Sequence, residues 1–137
     1  PIDASLAVPR FEDRFDRVLA DVPCSGFGVI RKKPDIRYKD LAEAAQLPRL
    51  QAQILHNAGR YVRPGGVLVY STCTVFPEEN EEIVRAFLSA HPEYAPEPFT
   101  LPVAGACSGM RTLLTPLDGT DGFFIARLRR SEENARG

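Results

Sequence analysis

Cysteine is scarce in this chain: three residues in 137, an odd number, with no CxxC pair. That excludes a disulfide-stapled secreted scaffold and favours a reducing, cytoplasmic setting. Histidine is scarcer. His56 and His91 lie far in sequence from the cysteines, so no metal-ligand spacing emerges and no metal is expected. No apolar run approaches the roughly 20 residues of a membrane span, so no membrane partner is expected. Net charge is nearly absent as well, at −1. The chain is no polycation, and any contact with nucleic acid must come from a local patch. A secretory leader is not visible, but Pro1 is no translation start. The chain is therefore read as beginning mid-protein, where a missing leader says nothing.

What is present is ordinary for a soluble globular domain: 44% hydrophobic and 26% charged residues. At 137 residues it is one domain at most, long enough to bury a core.

Two apolar runs organise the chain. Phe15 to Ala20 reads as a strand closed by Asp21-Val22-Pro23-Cys24, with Pro23 where the strand leaves the sheet. Val67 to Ser71 reads as a strand buried on both faces and closed by Thr72-Cys73-Thr74. Upstream, the tail of a further strand is expected to end near Asp3. Between the two runs, Ser25 to Lys39 is loop-like, with Gly26, Gly28 and Pro34, and carries the basic cluster Arg31, Lys32, Lys33, Arg37 and Lys39. Asp40 and Glu43 form a helix-start pattern. From Pro48 to Val62, residues Leu50, Ile54, Leu55, Ala58, Tyr61 and Val62 follow a helical stripe. Arg63-Pro64-Gly65-Gly66 then predicts a turn. A second helix is expected from Pro77 to His91, with Ile83, Val84, Phe87 and Leu88 inward. Residues 92–111 look patternless, a surface excursion. Leu113-Leu114 and Phe123 to Leu128, with a turn over 118–122, predict an antiparallel hairpin. The tail from 131 to 137 is expected to fray.

Strand, helix, strand, helix and hairpin make an α/β domain: parallel strands in a doubly wound, Rossmann-like sheet of three or four strands, with an antiparallel edge hairpin. In such sheets ligands bind beyond the carboxyl ends of the strands. Asp21, Cys24 and Cys73 all fall there. The cysteines are either small apolar residues at strand ends or nucleophiles, activated as thiolates near cations or a helix N-terminus, such as the one after Cys73. Asp21 is either a loop cap or an anchor for the polar edge of a base.

Longer motifs narrow this. Asp21-Val22-Pro23-Cys24-Ser25-Gly26, extended by Gly28-Val29-Ile30-Arg31 and Pro34-Asp35-Ile36, resembles motif IV of the RNA cytosine-C5 methyltransferases, closest to their bacterial 16S rRNA branch of the ribosomal RNA small subunit methyltransferase B (Sun/Fmu) type. Tyr70-Ser71-Thr72-Cys73-Thr74 with Pro77-Glu78-Glu79-Asn80 resembles motif VI, and Asp121-Gly122-Phe123-Phe124 the closing hairpin. The resemblance implies a partial class I methyltransferase sheet. It implies an S-adenosylmethionine cofactor and a cytosine of 16S rRNA as substrate. Cys73 would attack C6, Cys24 would help release the product, and Asp21 would lie near cofactor and base. Asp3 would contact the adenine, and Arg31, Lys32, Lys33 and Arg37 would contact RNA. The family's glycine-rich motif, with its Pro-Gly-Gly-Lys, is absent, as is the acidic residue that holds the ribose. The chain is therefore expected to be the C-terminal part of a catalytic domain. Alone it would be inactive, would bind cofactor poorly, and would self-associate through a bare sheet edge. A tRNA target, a non-catalytic RNA-binding module built on the 31–39 loop, and a thiol–disulfide protein pairing Cys24 with Cys73 are the alternatives.

Overall fold

The computed structural model of the protein describes residues 3–25, 45–102, 104–114 and 122–133. The basic cluster of the 31–39 loop, the Asp40–Glu43 helix start and most of the 118–122 turn lie outside these.

Two strands and the helix between them form the core unit. Strand β1 (Phe15–Asp21) leads to helix α1 (Leu47–Tyr61), which returns the chain to strand β2 (Val62–Thr72). β1 and β2 pair in parallel, and a parallel pair requires a crossover of this kind. Pro48 occupies the first turn of α1, where its missing N–H costs nothing. Helix α2 (Glu81–Ala90) follows, preceded by a 3-10 turn over Pro77–Glu79 in place of the continuous helix expected from Pro77.

The chain ends in antiparallel pairing. Strands β3 (Tyr94–Pro96), β4 (Phe99–Leu101), β5 (Gly105–Cys107) and β6 (Met110–Leu113) precede β7 (Phe123–Arg130). β7 inserts beside β2, and its far side is shared between β3 and β6. The expected hairpin is thus β6–β7, but β7 lies inside the sheet. Among the described residues the sheet has five strands rather than three or four, and β4 and β5 form a separate two-stranded ribbon. The 92–111 segment is the main correction: it contains three whole strands and the start of a fourth. Its strands are only three or four residues long, too short to show a hydrophobic period. Within the tail expected to fray, Ser131 is held. Ser131 donates its N–H to Glu93 O and accepts from Gly65 N–H, and residues 134–137 lie outside the described set.

Both helices cover one face of the sheet. Ala20, Leu68, Tyr70, Phe124, Ala126 and Leu128 point to that face and meet Leu55 and Ala58 of α1 and Ile83, Val84 and Phe87 of α2. The opposite face carries Leu19, 65% exposed, at the β1 end of the sheet. That end is the edge at which self-association of the chain is expected.

The Arg63-Pro64-Gly65-Gly66 segment, expected as a turn between helix and strand, lies instead inside β2 as a bulge in its pairing with β1. Phe15 pairs with Val62 and Arg17 with Val67, so Arg63 to Gly66 bulge out opposite Asp16. Gly65 adopts φ +83, a conformation that glycine accepts without strain. Gly66 is needed for closeness instead: a Cβ there would sit 2.7 Å from Asp16 O and 2.6 Å from Val62 Cγ1. Backbone oxygen cannot swing aside. Gly66→Ala is therefore expected to destabilise the protein by about 1–3 kcal/mol, as overpacking does, read as a lower midpoint in denaturant. An unchanged midpoint would mean the bulge relaxes freely.

Candidate active site

The parallel register brings the two strand ends together. Asp21 pairs with Ser71, so each chain leaves the sheet at the same level and Cys24 meets Cys73. Their sulfurs are 2.7 Å apart, and the Cys73 N–H donates to Cys24 Sγ at 3.2 Å. Both thiols are free and half-buried. Ser71 Oγ donates to Asp21 Oδ1 at 2.9 Å, aiming one carboxylate oxygen of an otherwise exposed side chain.

These groups form one side of a cleft of about 520 Å³, within the range of small-ligand sites. The other side comes from the hairpin. Because β7 runs antiparallel to β2, its first residues lie beside the last residues of β2: Phe124 pairs with Thr72 and Ile125 with Ser71. Phe123, Ile125 and Leu113 thereby give the cleft an apolar wall.

Burial pushes the Cys73 thiol up to about 12, and the neighbouring Cys24 thiol and the Asp21 carboxylate push in the same direction. The N-terminus of the following helix was expected to promote the thiolate. Instead α2 begins only at Glu81, after the 3-10 turn. The surroundings of Cys73 are dominated by desolvation and negative neighbours, so the free site holds Cys73 protonated at neutral pH.

Beneath the cysteines lies a buried polar network that hydrophobic periodicity does not reveal. Glu79, only 3% exposed, accepts from Ser25 N–H at 2.8 Å, from Ser25 Oγ at 2.7 Å and from Gln51 Nε2 at 3.0 Å. Gln51 also donates to Pro23 O at 2.9 Å. Asn80 accepts from Thr72 Oγ1 at 2.6 Å and donates to Thr74 O at 3.0 Å. Tyr70 donates to Glu79 O at 2.6 Å, and burial with the nearby Glu79 charge raises its phenol far above the ordinary value. Gln51 falls on the inward face of α1 between apolar positions, and that placement is the one sequence signal for it.

Of the residues singled out from sequence, Asp21, Cys24 and Cys73 converge. Asp3 does not line the cleft. Its carboxylate accepts from Ser5 N–H at 2.9 Å and Ser5 Oγ at 2.7 Å in an exposed turn, and those bonds hold it below the usual carboxylate range. Arg31, Lys32, Lys33 and Arg37 lie outside the described residues. Among the described residues, no cluster of three or more metal-binding side chains occurs, and no helix is long and apolar enough to cross a membrane.

Residues 3–129 match the family described as 16S rRNA methyltransferase RsmB/F. Ribosomal RNA small subunit methyltransferase B of Thermus thermophilus is 44% identical over 97% of this chain and 33% of its own length. The probable ribosomal RNA small subunit methyltransferase B of Bacillus subtilis is 41% identical over 94% of this chain and 31% of its own length. The chain thus spans about a third of the curated relatives it matches. Among solved structures, PH0851 superposes with a TM-score of 0.85 at 38% identity, covering 94% of this chain and 30% of its own. NSun6 from Pyrococcus horikoshii, solved with SFG, gives 0.69 at 31% identity, covering 85% and 30%. These likenesses span the sheet, both helices and the paired cysteines, and by them the chain belongs to the 16S rRNA methyltransferase RsmB/F family.

Proposed function

We propose that the intact protein transfers a methyl group from S-adenosylmethionine to C5 of a cytosine in 16S rRNA, in the cytoplasm. The observation that carries this reading is the meeting of Cys24 and Cys73 at 2.7 Å beside Asp21, in a chain of the RsmB/F family.

Cytosine C5 is a poor nucleophile. Addition of the Cys73 sulfur to C6 pushes electron density onto C5, which lets it accept a methyl group. The Cys24 sulfur, as a thiolate, takes the C5 proton; the C5–H electron pair closes the C5=C6 double bond, and the C6–S pair leaves with Cys73 as its thiolate. Asp21, held by Ser71, takes the polar edge of the base, and the hairpin wall at Phe123 and Ile125 offers a surface for base stacking. S-adenosylmethionine supplies an electrophilic methyl group when bound.

Asp21, in the cleft, fits one side of that cofactor's site; Asp3, in an exposed turn away from the cleft, is assigned to the adenine by the family resemblance alone. That P. horikoshii NSun6 was solved with SFG, an analogue of S-adenosylmethionine, supports the choice of cofactor. Arg31, Lys32, Lys33 and Arg37 are assigned to phosphate contacts, where arginine and lysine are the usual groups.

The test is incubation of the intact protein with methyl-labelled S-adenosylmethionine and unmodified 16S rRNA, followed by nucleoside mass spectrometry. Labelled 5-methylcytidine is expected. Label on another atom or base would sink the C5 assignment. RNA binding that survives loss of both cysteines, without any methyl transfer, would favour a non-catalytic RNA-binding module.

A further inference from the structure

Two adjacent residues, Glu79 and Asn80, each grip one of the two cysteine segments. Glu79 holds the segment around Cys24. Its carboxylate accepts the backbone N–H and the hydroxyl of Ser25, the next residue in the chain. Gln51 bridges the same carboxylate to Pro23 O, on the other side of Cys24. Asn80 holds the turn around Cys73. Its side-chain oxygen accepts from Thr72 and its amide donates to Thr74 O, so it spans Cys73 on both sides.

The two grips are also joined. Ser25 Oγ lies 2.9 Å from Thr74 Oγ1 and 2.7 Å from Glu79 Oε2. A hydroxyl carries one proton. That proton serves the carboxylate, so Thr74 supplies the hydrogen of the other bond. A carboxylate this deeply buried is costly unless satisfied, and here its bonds converge on one short segment. Satisfied networks of this kind rigidify their surroundings.

We infer that Glu79 and Asn80 are positioning residues that set the separation of the two thiols, Glu79 by fixing the Cys24 segment and Asn80 by fixing the Cys73 turn. Neither lines the cleft. Both act through the cysteines, and the inference rests on the methyl-transfer reading for its catalytic consequence. Loosening the Glu79 grip displaces Cys24 and leaves Cys73 seated, so it slows adduct breakdown and spares adduct formation. Loosening the Asn80 grip displaces the nucleophile, so it slows adduct formation itself.

The first measurement needs no methyl transfer. The intact protein is equilibrated with reduced and oxidised glutathione, and the Cys24–Cys73 disulfide is quantified by peptide mass spectrometry. Each pair oxidised passes two electrons to glutathione disulfide, which leaves as two thiols with the two protons. The effective concentration of one thiol at the other follows. Glu79→Gln and Asn80→Asp are expected to lower it about tenfold, the size expected for one lost hydrogen bond to a charged or buried group. Leu128→Ala, a core truncation in β7, is expected to leave it unchanged in the folded protein. Should Glu79→Gln not fold, Ser25→Ala, which deletes only the hydroxyl link, carries the same test with a several-fold fall. An effective concentration unchanged in a folded variant would overturn the inference.

The second measurement is the adduct on denaturing gels with 16S rRNA and S-adenosylmethionine. Accumulation with Glu79→Gln and depletion with Asn80→Asp are expected. Equal loss of both activities in the two variants would mean a merely structural role. If the thiol measurement responds but no variant ever forms an adduct, the methyl-transfer reading fails and the positioning role survives.

Discussion

In the intact protein, Cys24→Ala is expected to leave a covalent protein–RNA adduct that survives denaturation, while Cys73→Ala forms none. The two outcomes separate because the thiols act at different moments. Without Cys73 no C6–S bond forms, and C5 keeps its low nucleophilicity. Methyl transfer should then fall on the order of a thousandfold or more, as when other covalent nucleophiles are removed. Without Cys24 the bond still forms, but its breakdown loses the assisting group. The geometry alone is close to symmetric, with the sulfurs 2.7 Å apart and both half-buried. The assignment of roles therefore comes from the motifs, Pro-Cys for one and Thr-Cys for the other. Denaturing gels showing the adduct with Cys73→Ala, and not with Cys24→Ala, would reverse it.

Alkylation of Cys73 by iodoacetamide is expected to keep rising with pH well beyond pH 9, because its thiol is held up to about 12 by burial, by Cys24 and by Asp21. An ordinary thiol with a value near 9.0 is half ionised at pH 9. At that pH the Cys73 thiolate fraction should be lower by about two to three orders of magnitude, since each pH unit is worth a factor of ten. Cys24→Ser removes the neighbouring thiol and keeps burial and Asp21, so the midpoint should drop part of the way. Peptide mass spectrometry after timed alkylation at each pH reads both values. A Cys73 midpoint at or below 9 would show that the site activates the thiolate unaided. The sign for stability follows from the same shift. The folded protein keeps the proton that the unfolded chain gives up above pH 9. This contribution is intact below pH 9 and is lost as pH rises toward 12. For catalysis, the consequence is that substrate binding must bring the proton acceptor or the field that ionises Cys73, and Cys24 is its nearest neighbour.

Much of this molecule is legible one segment at a time. Val18-Leu19-Ala20 and Val67-Leu68-Val69-Tyr70 declare themselves as strands, because a long run of apolar side chains has nowhere else to go. Leu55, Ala58, Ile83, Val84 and Phe87 declare helix faces by their spacing. The motif residues Asp21, Cys24 and Cys73 are placed correctly at strand ends, because strand and loop chemistry change sharply there. Strands β3 to β5 and the first residues of β6 are not legible. Each has three or four residues, and their pairing is with β7 or with each other across intervening chain. Local composition carries no trace of a partner that is distant in sequence.

The sequence by itself therefore determined the α/β class, the helices over 47–61 and 81–90, the place of each cysteine at a strand end and the family to which their motifs belong. Only the tertiary structure decided how the site is held. The parallel register of β1 and β2 puts Asp21 opposite Ser71 and so brings Cys24 to Cys73. The insertion of β7 beside β2 supplies the apolar wall of the cleft. Polar side chains are usually exposed, so residue type gives no sign that Glu79 and Asn80, both within the motif VI resemblance, are buried, and only its place on the inward face of α1 marks Gln51. Folding buries them because the backbone groups and hydroxyls of the two cysteine segments satisfy their hydrogen bonds. For Glu79 and Gln51 that exchange of water for internal partners depends on atoms more than 25 residues apart, and it exists only once the chain has closed on itself.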